Sequence, residues 1–152
     1  MTDVDLLEIK DRLEIQELMY RYAEMVDRRD WPQMDQIFAL EARIDYASTG
    51  GHAGPFRETL AWLDRALESW PINLHIISNL IIEFDGDLAT ARCYFHAPMA
   101  RETEEGPQYV ITNAGHYQDR LIRTPTGWRI LERICHQTLM QGTLPAGYRI
   151  PE

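Results

Sequence analysis

Apolar residues recur at Leu6, Ile9, Leu13, Leu18, Tyr20, Tyr22 and Val26 among charged positions, a roughly helical spacing that predicts one long helix over 4–26. Glu8, Lys10, Asp11, Arg12 and Glu14 supply its wet side, and neither Gly nor Pro interrupts the run. Asp30-Trp31-Pro32 restarts the pattern as a short second helix ending near Ala39, with Asp30 as N-cap and Pro32 in the first turn, where its missing N–H is harmless. Residues 42–47 have the composition of a strand, and Ser48-Thr-Gly-Gly51 turns the chain. A third helix runs from Phe56 to Ser69 with Phe56, Leu60, Leu63 and Leu67 on one stripe, and Pro71 stops it.

Beyond Pro71 the period shortens. Leu74 to Phe84 is β-branched and apolar, Asp85-Gly86-Asp87 is a hairpin signal, and Leu88 to Met99 returns. A polar connection over 102–107 leads to a strand from Gln108 to Arg123, and Thr124-Pro-Thr-Gly127 turns into a last strand, Trp128 to Leu139. The tail from Gln141 has no regular period. Helices followed by a meander of long strands predict a single α+β domain spanning 1–152, with three N-terminal helices against an antiparallel sheet. Ile76, Ile77, Leu80, Ile81 and Ile82 are apolar on both strand parities. One face should therefore cover the helices and the other meet a second subunit, which predicts a homo-oligomer.

Composition narrows the function classes. Hydrophobic residues make up 45% of the 152, enough for a globular core. Fifteen Lys and Arg against 24 Asp and Glu leave a charge of −9, and the basic residues form no run. A nucleic-acid partner and an anionic membrane surface are therefore not expected. Thr-Asp-Val-Asp after Met1 has no positive or apolar leader character, and no apolar stretch reaches membrane-helix length. Cys93 and Cys135 lack CxxC spacing and read as reduced core thiols, so a cytoplasmic location is expected.

The chemistry-bearing candidates are scattered. Asp27 ends the first helix, and His75 opens a strand run 48 residues later. A carboxylate on one imidazole nitrogen fixes the tautomer and lets the other act as a base. The plainer alternative is a helix-capping Asp and a satisfied strand His. Tyrosines such as Tyr20, Tyr22, Tyr46, Tyr94, Tyr109 and Tyr117 could polarise a carbonyl or simply fill the core. On an ideal helix Tyr22 lies about 140° from Asp27, which sets the two on different sides. His96, His116 and His136 sit in strand runs without metal-ligand spacing, so a metal is not expected, and His52 reads as a loop residue. Asp45, Glu83 and Asp119 are further carboxylates, and Asp119 is expected in a surface ion pair with Arg120 or Arg133. GxSxG, GxxxxGK[ST] and GxGxxG are absent.

Certain stretches carry a resemblance to a known family. They are Leu13-Glu-Ile-Gln-Glu-Leu18, Tyr22-Ala23, Asp27, Asp30-Trp31, Asp45-Tyr46 and His75, then residues 85–92, 115–120 and Gly127-Trp-Arg-Ile130. The chain resembles the SnoaL-like branch of the NTF2-like superfamily from about Leu6 to Leu139. That resemblance implies three helices before a curved sheet that closes into a cone. Asp27 and His75 match the Asp–His pair of the branch's dehydratases and dehydrochlorinase, and Tyr22 and Tyr46 match tyrosines of the bile-acid dehydratase. The resemblance thus implies a cofactor-independent lyase acting on a hydrophobic cyclic or aromatic carbonyl-type substrate, with Asp27 and His75 catalytic. Tyr22, Tyr46, Tyr117, His96 and Arg133 are the candidate substrate contacts. Other members of the superfamily imply two alternatives, an isomerase using the same pocket and a non-catalytic binder of small ligands.

Overall fold

The computed structural model describes residues 2–104, 106 and 109–152. The expected polar connection and the expected strand start at Gln108 include positions 105, 107 and 108, which lie outside the described residues. Helix α1 spans Asp3–Arg28 and opens with a capping box formed by Thr2 and Asp5. Ile15, Leu18, Met19, Tyr22, Ala23 and Val26 form its buried stripe. Leu6, Ile9, Leu13 and Tyr20 are exposed instead: Leu6 and Ile9 precede the buried part of the helix, which begins at Asp11, and Leu13 and Tyr20 fall on the side away from the buried stripe.

The segment expected as a second α-helix is a six-residue 3-10 helix, Trp31–Gln36. Asp30 stands at its N-cap but makes no side-chain capping bond. The helix is short because strand β1, Phe38–Asp45, begins just after it, with Phe38 paired to Ile130 and both Phe38 and Ala39 buried. A further 3-10 turn and β2, Ala53–Pro55, lead into α2, Phe56–Leu67. Its buried residues are Phe56, Thr59, Leu60, Trp62, Ala66 and Leu67, a wider stripe than leucines alone define.

The remaining strands are β3 (Ile72–Asn73), β4 (Ile76–Asp85), β5 (Leu88–Arg101), β6 (Tyr109–Thr124) and β7 (Gly127–Gln141). They make one sheet in the order β2-β1-β7-β6-β5-β3, with β4 also paired to β5. The meander is antiparallel, but β1 runs parallel to β7, an arrangement that local hairpin reasoning does not reach. Helices packed into the hollow of a curled half-barrel give the mixed α+β architecture, with two long helices rather than three.

Two features shape the hollow. The β6–β7 register shifts between Ala114 and Gly115, where a Cβ on Gly115 would come within 1.9 Å of the His136 carbonyl oxygen. Glycine is what lets the strands approach at that bulge. At the far end of α1, Arg29 adopts a left-handed conformation (φ 58°) and its guanidinium donates to the carbonyl oxygens of Leu67 and Trp70. Those carbonyls end α2 and the turn after it, so one side chain ties the two helix ends together.

Candidate active site in the hollow of the sheet

A cavity of about 140 Å³ opens between the sheet's inner face and α2. An apolar cavity of comparable size is known to accept a single aromatic ring. Trp62, Trp70, Phe95 and Met99 supply apolar wall, and among the described lining residues none is Asp, Glu, Lys or Arg. His75 reaches this cavity from the start of β4.

Asp27 holds His75 twice. Its Oδ2 accepts from the His75 backbone N–H at 2.9 Å, and its Oδ1 lies 2.7 Å from Nδ1. With Asp27 ionised, Nδ1–H is the donor, which leaves the Nε2 lone pair free. Asp27 itself lies outside the cavity lining and beside a shallow outer groove. The 140° separation from Tyr22 is therefore no obstacle, because the carboxylate reaches the hollow only through the imidazole.

Tyr22, Tyr46 and Tyr117 line the same hollow, and the hydroxyls of Tyr22 and Tyr46 are hydrogen-bonded to each other. Burial pushes all three phenols above their usual value, Tyr46 and Tyr117 strongly. They are neutral, potential hydrogen-bond donors at ordinary pH. Arg133 does not line the hollow. It is fully buried behind it, with its guanidinium carbon 4.2 Å from the Tyr22 ring centre and 4.1 Å from that of Tyr117. Asp119 engages it with two bonds of 2.8 and 2.7 Å and is equally buried. The expected surface ion pair is thus an internal one, because both residues fall on the inward parity of β6 and β7. Burial pushes the Asp119 carboxyl up against the pull of Arg133. Burial alone would depress the Arg133 guanidinium, but the Asp119 carboxylate outweighs it and keeps it protonated. Cys135, beside this pair, is a buried thiol pushed up to about 12 by its burial.

His96 is placed elsewhere. It is exposed and pairs with Ile76 on the outer face of the sheet, so the expectation that it touches substrate in this pocket is corrected. Its parity on β5 is opposite to that of Phe95 and Ala97, which do line the cavity. His116 and His136 stack on one another on that outer face, 4.5 Å between ring centres. Asp45 caps a turn through the Ala47 N–H, and Glu83 is exposed. His52 is half-buried and bonded to Thr59 rather than free in a loop.

Sequence reasoning missed two groups. Asn113 and Gln137 line the cavity and bond each other, Gln137 Nε2 to Asn113 Oδ1 at 3.1 Å. Their signal was a polar residue on the inward parity of a strand: Asn113 shares its side of β6 with Ile111 and Tyr117, and Gln137 shares its side of β7 with Cys135. Leu144, Tyr148 and Ile150 from the aperiodic tail form another wall. Trp70 Nε1–H donates to the Tyr148 hydroxyl at 3.2 Å, and Trp62 Nε1–H to the Pro151 carbonyl at 2.8 Å.

Helices seated in a curled sheet, with a pocket between the layers, define the NTF2-like class of small-molecule pocket. The SnoaL-like domain family matches residues 7–134, and the chain belongs to that family within the NTF2-like superfamily. It is 35% identical over 140 residues to the uncharacterized protein Rv2910c of Mycobacterium tuberculosis, covering 90% of this chain and 94% of the relative. In structure it is similar to a hexachlorocyclohexane dehydrochlorinase, with a TM-score of 0.78, 18% identity and coverage of 95% and 99% of the two chains. It is also similar to a protein from Novosphingobium aromaticivorans provisionally assigned as a scytalone dehydratase, with a TM-score of 0.71, 21% identity and coverage of 98% and 99%. At such identities the likeness is one of fold. No helix among the described residues is long and apolar enough to cross a membrane.

Proposed function

We propose that the protein, as a single SnoaL-like domain over 1–152, is a cofactor-independent lyase of the dehydratase kind that acts on a hydrophobic cyclic or aromatic carbonyl compound. His75 Nε2 removes a proton from the carbon next to the carbonyl, and the electron pair moves onto the carbonyl oxygen. Asp27 fixes the tautomer and stabilises the imidazolium as it forms. Tyr22 or Tyr46 donates a hydrogen bond to the developing enolate oxygen or to the departing hydroxyl. Expulsion of that hydroxyl with a proton from imidazolium or phenol completes the loss of water. Tyr117 lines the hollow beside these donors, and Arg133 acts behind them. Arg133 lies against the Tyr22 and Tyr117 rings, a fixed positive charge that favours negative charge building in the hollow.

The observation that carries this reading is the hydrogen bond from His75 Nδ1 to Asp27, with the ring lining a pocket free of charged side chains. The structural neighbours named for elimination chemistry, dehydrochlorination and dehydration, add support. The test is loss of water from 3-hydroxycyclohexanone, followed as the enone absorbance. Wild type should turn over and Asp27→Asn should not, while keeping its fold. Equal rates would leave the binding reading as the better one.

The same reading places the protein in the cytoplasm as a dimer or trimer. Ile76, Ile81 and Tyr94 stand exposed on the outer face of the sheet, where a second copy would cover them. Sedimentation of Ile81→Lys against wild type tests this, and a monomer in both would oppose it.

A further inference from the structure

The strand register sets His75 and Asn113 across from each other. Asn73 pairs with Met99 and Ile76 with His96, so His75 falls opposite Ala97, and Ala97 pairs with Asn113. Two strand spacings, about 10 Å, separate the Cα atoms of His75 and Asn113. Only the methyl group of Ala97 stands between them on the floor. Gln137 joins from the next row, opposite the Gly115 bulge, and lies against Asn113.

The two amides together carry two carbonyl acceptors and two NH2 donors. The bond between them uses one of each, whichever amide gives the proton. One carbonyl oxygen and one NH2 group are left, and no other described residue bonds them. Both side chains line the cavity, in a wall otherwise made of Met99, Ile111 and Met140. An adjacent donor and acceptor suit a group that is itself both, namely a hydroxyl. An ether can only accept, and would leave the amide oxygen without a partner once the ligand covers it. A carboxylate would find acceptors and neutral donors but no cation in the lining, and would lose its hydration uncompensated.

We propose that the Asn113–Gln137 pair is a specificity element that selects uncharged substrates bearing a hydroxyl across the ring from the reacting carbonyl. The proposal rests on the reading of the hollow as a site for cyclic carbonyl compounds. It adds which member of that class is taken. The ring lies over Ala97, the carbonyl end reaches His75 and the tyrosines, and the hydroxyl end is held by the amide pair.

Three single-ring ketones test it by calorimetry at pH 6, where the phenol is neutral. They are acetophenone, 4-hydroxyacetophenone and 4-methoxyacetophenone. The hydroxy compound should bind wild type about tenfold more tightly than the methoxy compound, the scale of one hydrogen bond lost plus one acceptor left unpaired. Gln137→Met and Asn113→Leu should each erase that difference while still binding acetophenone, which shows that the pocket is intact. Asp27→Asn should keep the preference, since the dyad does not contact the hydroxyl. Equal binding of the hydroxy and methoxy compounds to wild type would overturn the proposal while leaving the base assignment standing. So would a preference that survives both amide variants. Failure of all three ketones to bind would overturn it together with the substrate class.

Discussion

The carboxylate of Asp27 fixes both the backbone and the ring of His75, one oxygen taking the main-chain N–H and the other Nδ1. The residue is therefore held where β4 begins, and its imidazole cannot turn away without breaking a charge-assisted bond. Arg29, two residues on, ties the end of α1 to the end of α2, which bounds the hollow on the other side. Base and pocket wall are positioned by the same helix terminus.

Replacing Asp27 by Asn should preserve the fold and remove most of the activity. The amide oxygen can still accept from the His75 main chain, but its NH2 then faces Nδ1 and donates to it, which puts the ring proton on Nε2, the wrong tautomer for a base. A loss in kcat on the order of 10⁴-fold is expected, the scale seen when the orienting carboxylate of a Ser-His-Asp triad becomes an amide. Circular dichroism alongside the elimination assay checks it; a variant unfolded at 25 °C would show that Asp27 is chiefly structural.

The phenols make a prediction about alkaline pH. Burial raises Tyr46 and Tyr117 above the unfolded value of about 10. Above that value the unfolded chain loses phenolic protons that the folded chain retains, so stability falls as pH rises through the window between the two. Melting temperature should drop from about pH 10 upward, and Tyr117→Phe should make the drop shallower. An unchanged slope in the variant would contradict neutral burial of this hydroxyl.

Arg133 and Asp119 form an internal pair, so halves of it are costly. Arg133→Met leaves a buried carboxylate unpaired and should destabilise by about 3–5 kcal/mol in urea unfolding. The double change Asp119→Leu with Arg133→Met should recover much of that. Activity should not return with stability, because the charge behind Tyr22 is gone. A single variant losing under about 1 kcal/mol, the scale of an exposed pair, would contradict the burial seen here.

The tail holds to the body through few contacts that sequence alone would suggest. Trp70→Phe deletes the donor to Tyr148 while keeping an apolar ring. Amide exchange at Tyr148, Arg149 and Ile150 should then quicken several-fold, and the elimination KM should rise more than kcat falls. Unchanged exchange would mean that the wall is held without this bond, by the Trp62 bond to Pro151 and the Arg65 bond to the Glu152 carbonyl.

The patterns that were legible in the chain were those with a local cause. The stretch of α1 from Ile15 to Val26, the hairpin at Gly86 and the strands β4 to β7 follow from period and turn chemistry. Asp27 and His75 stood as a candidate pair on residue type, but it was resemblance that favoured the pair over a capping Asp and a structural His, since no local spacing links residues 48 apart. What stayed hidden depended on register. The parity that buries Arg133 and Asp119 and turns His96 outward is set by bulges in the β6–β7 ladder and by β5 pairing. The parallel β1–β7 pairing and the tail wall arise from long-range packing, on which local period is silent. Leu6 and Ile9 continue the apolar pattern of α1 ahead of its packed part, which begins at Asp11, and Leu13 faces away from the sheet.

The most direct test of the base is proton exchange at carbon. Cyclohexanone incubated with the protein in D2O should lose its α-proton NMR signals to deuterium faster than in buffer alone. Asp27→Asn should slow that exchange on the order of 10⁴-fold, and His75→Gln should return it to the buffer rate. Exchange at the buffer rate in wild type, or equally fast in wild type and His75→Gln, would contradict a base at His75.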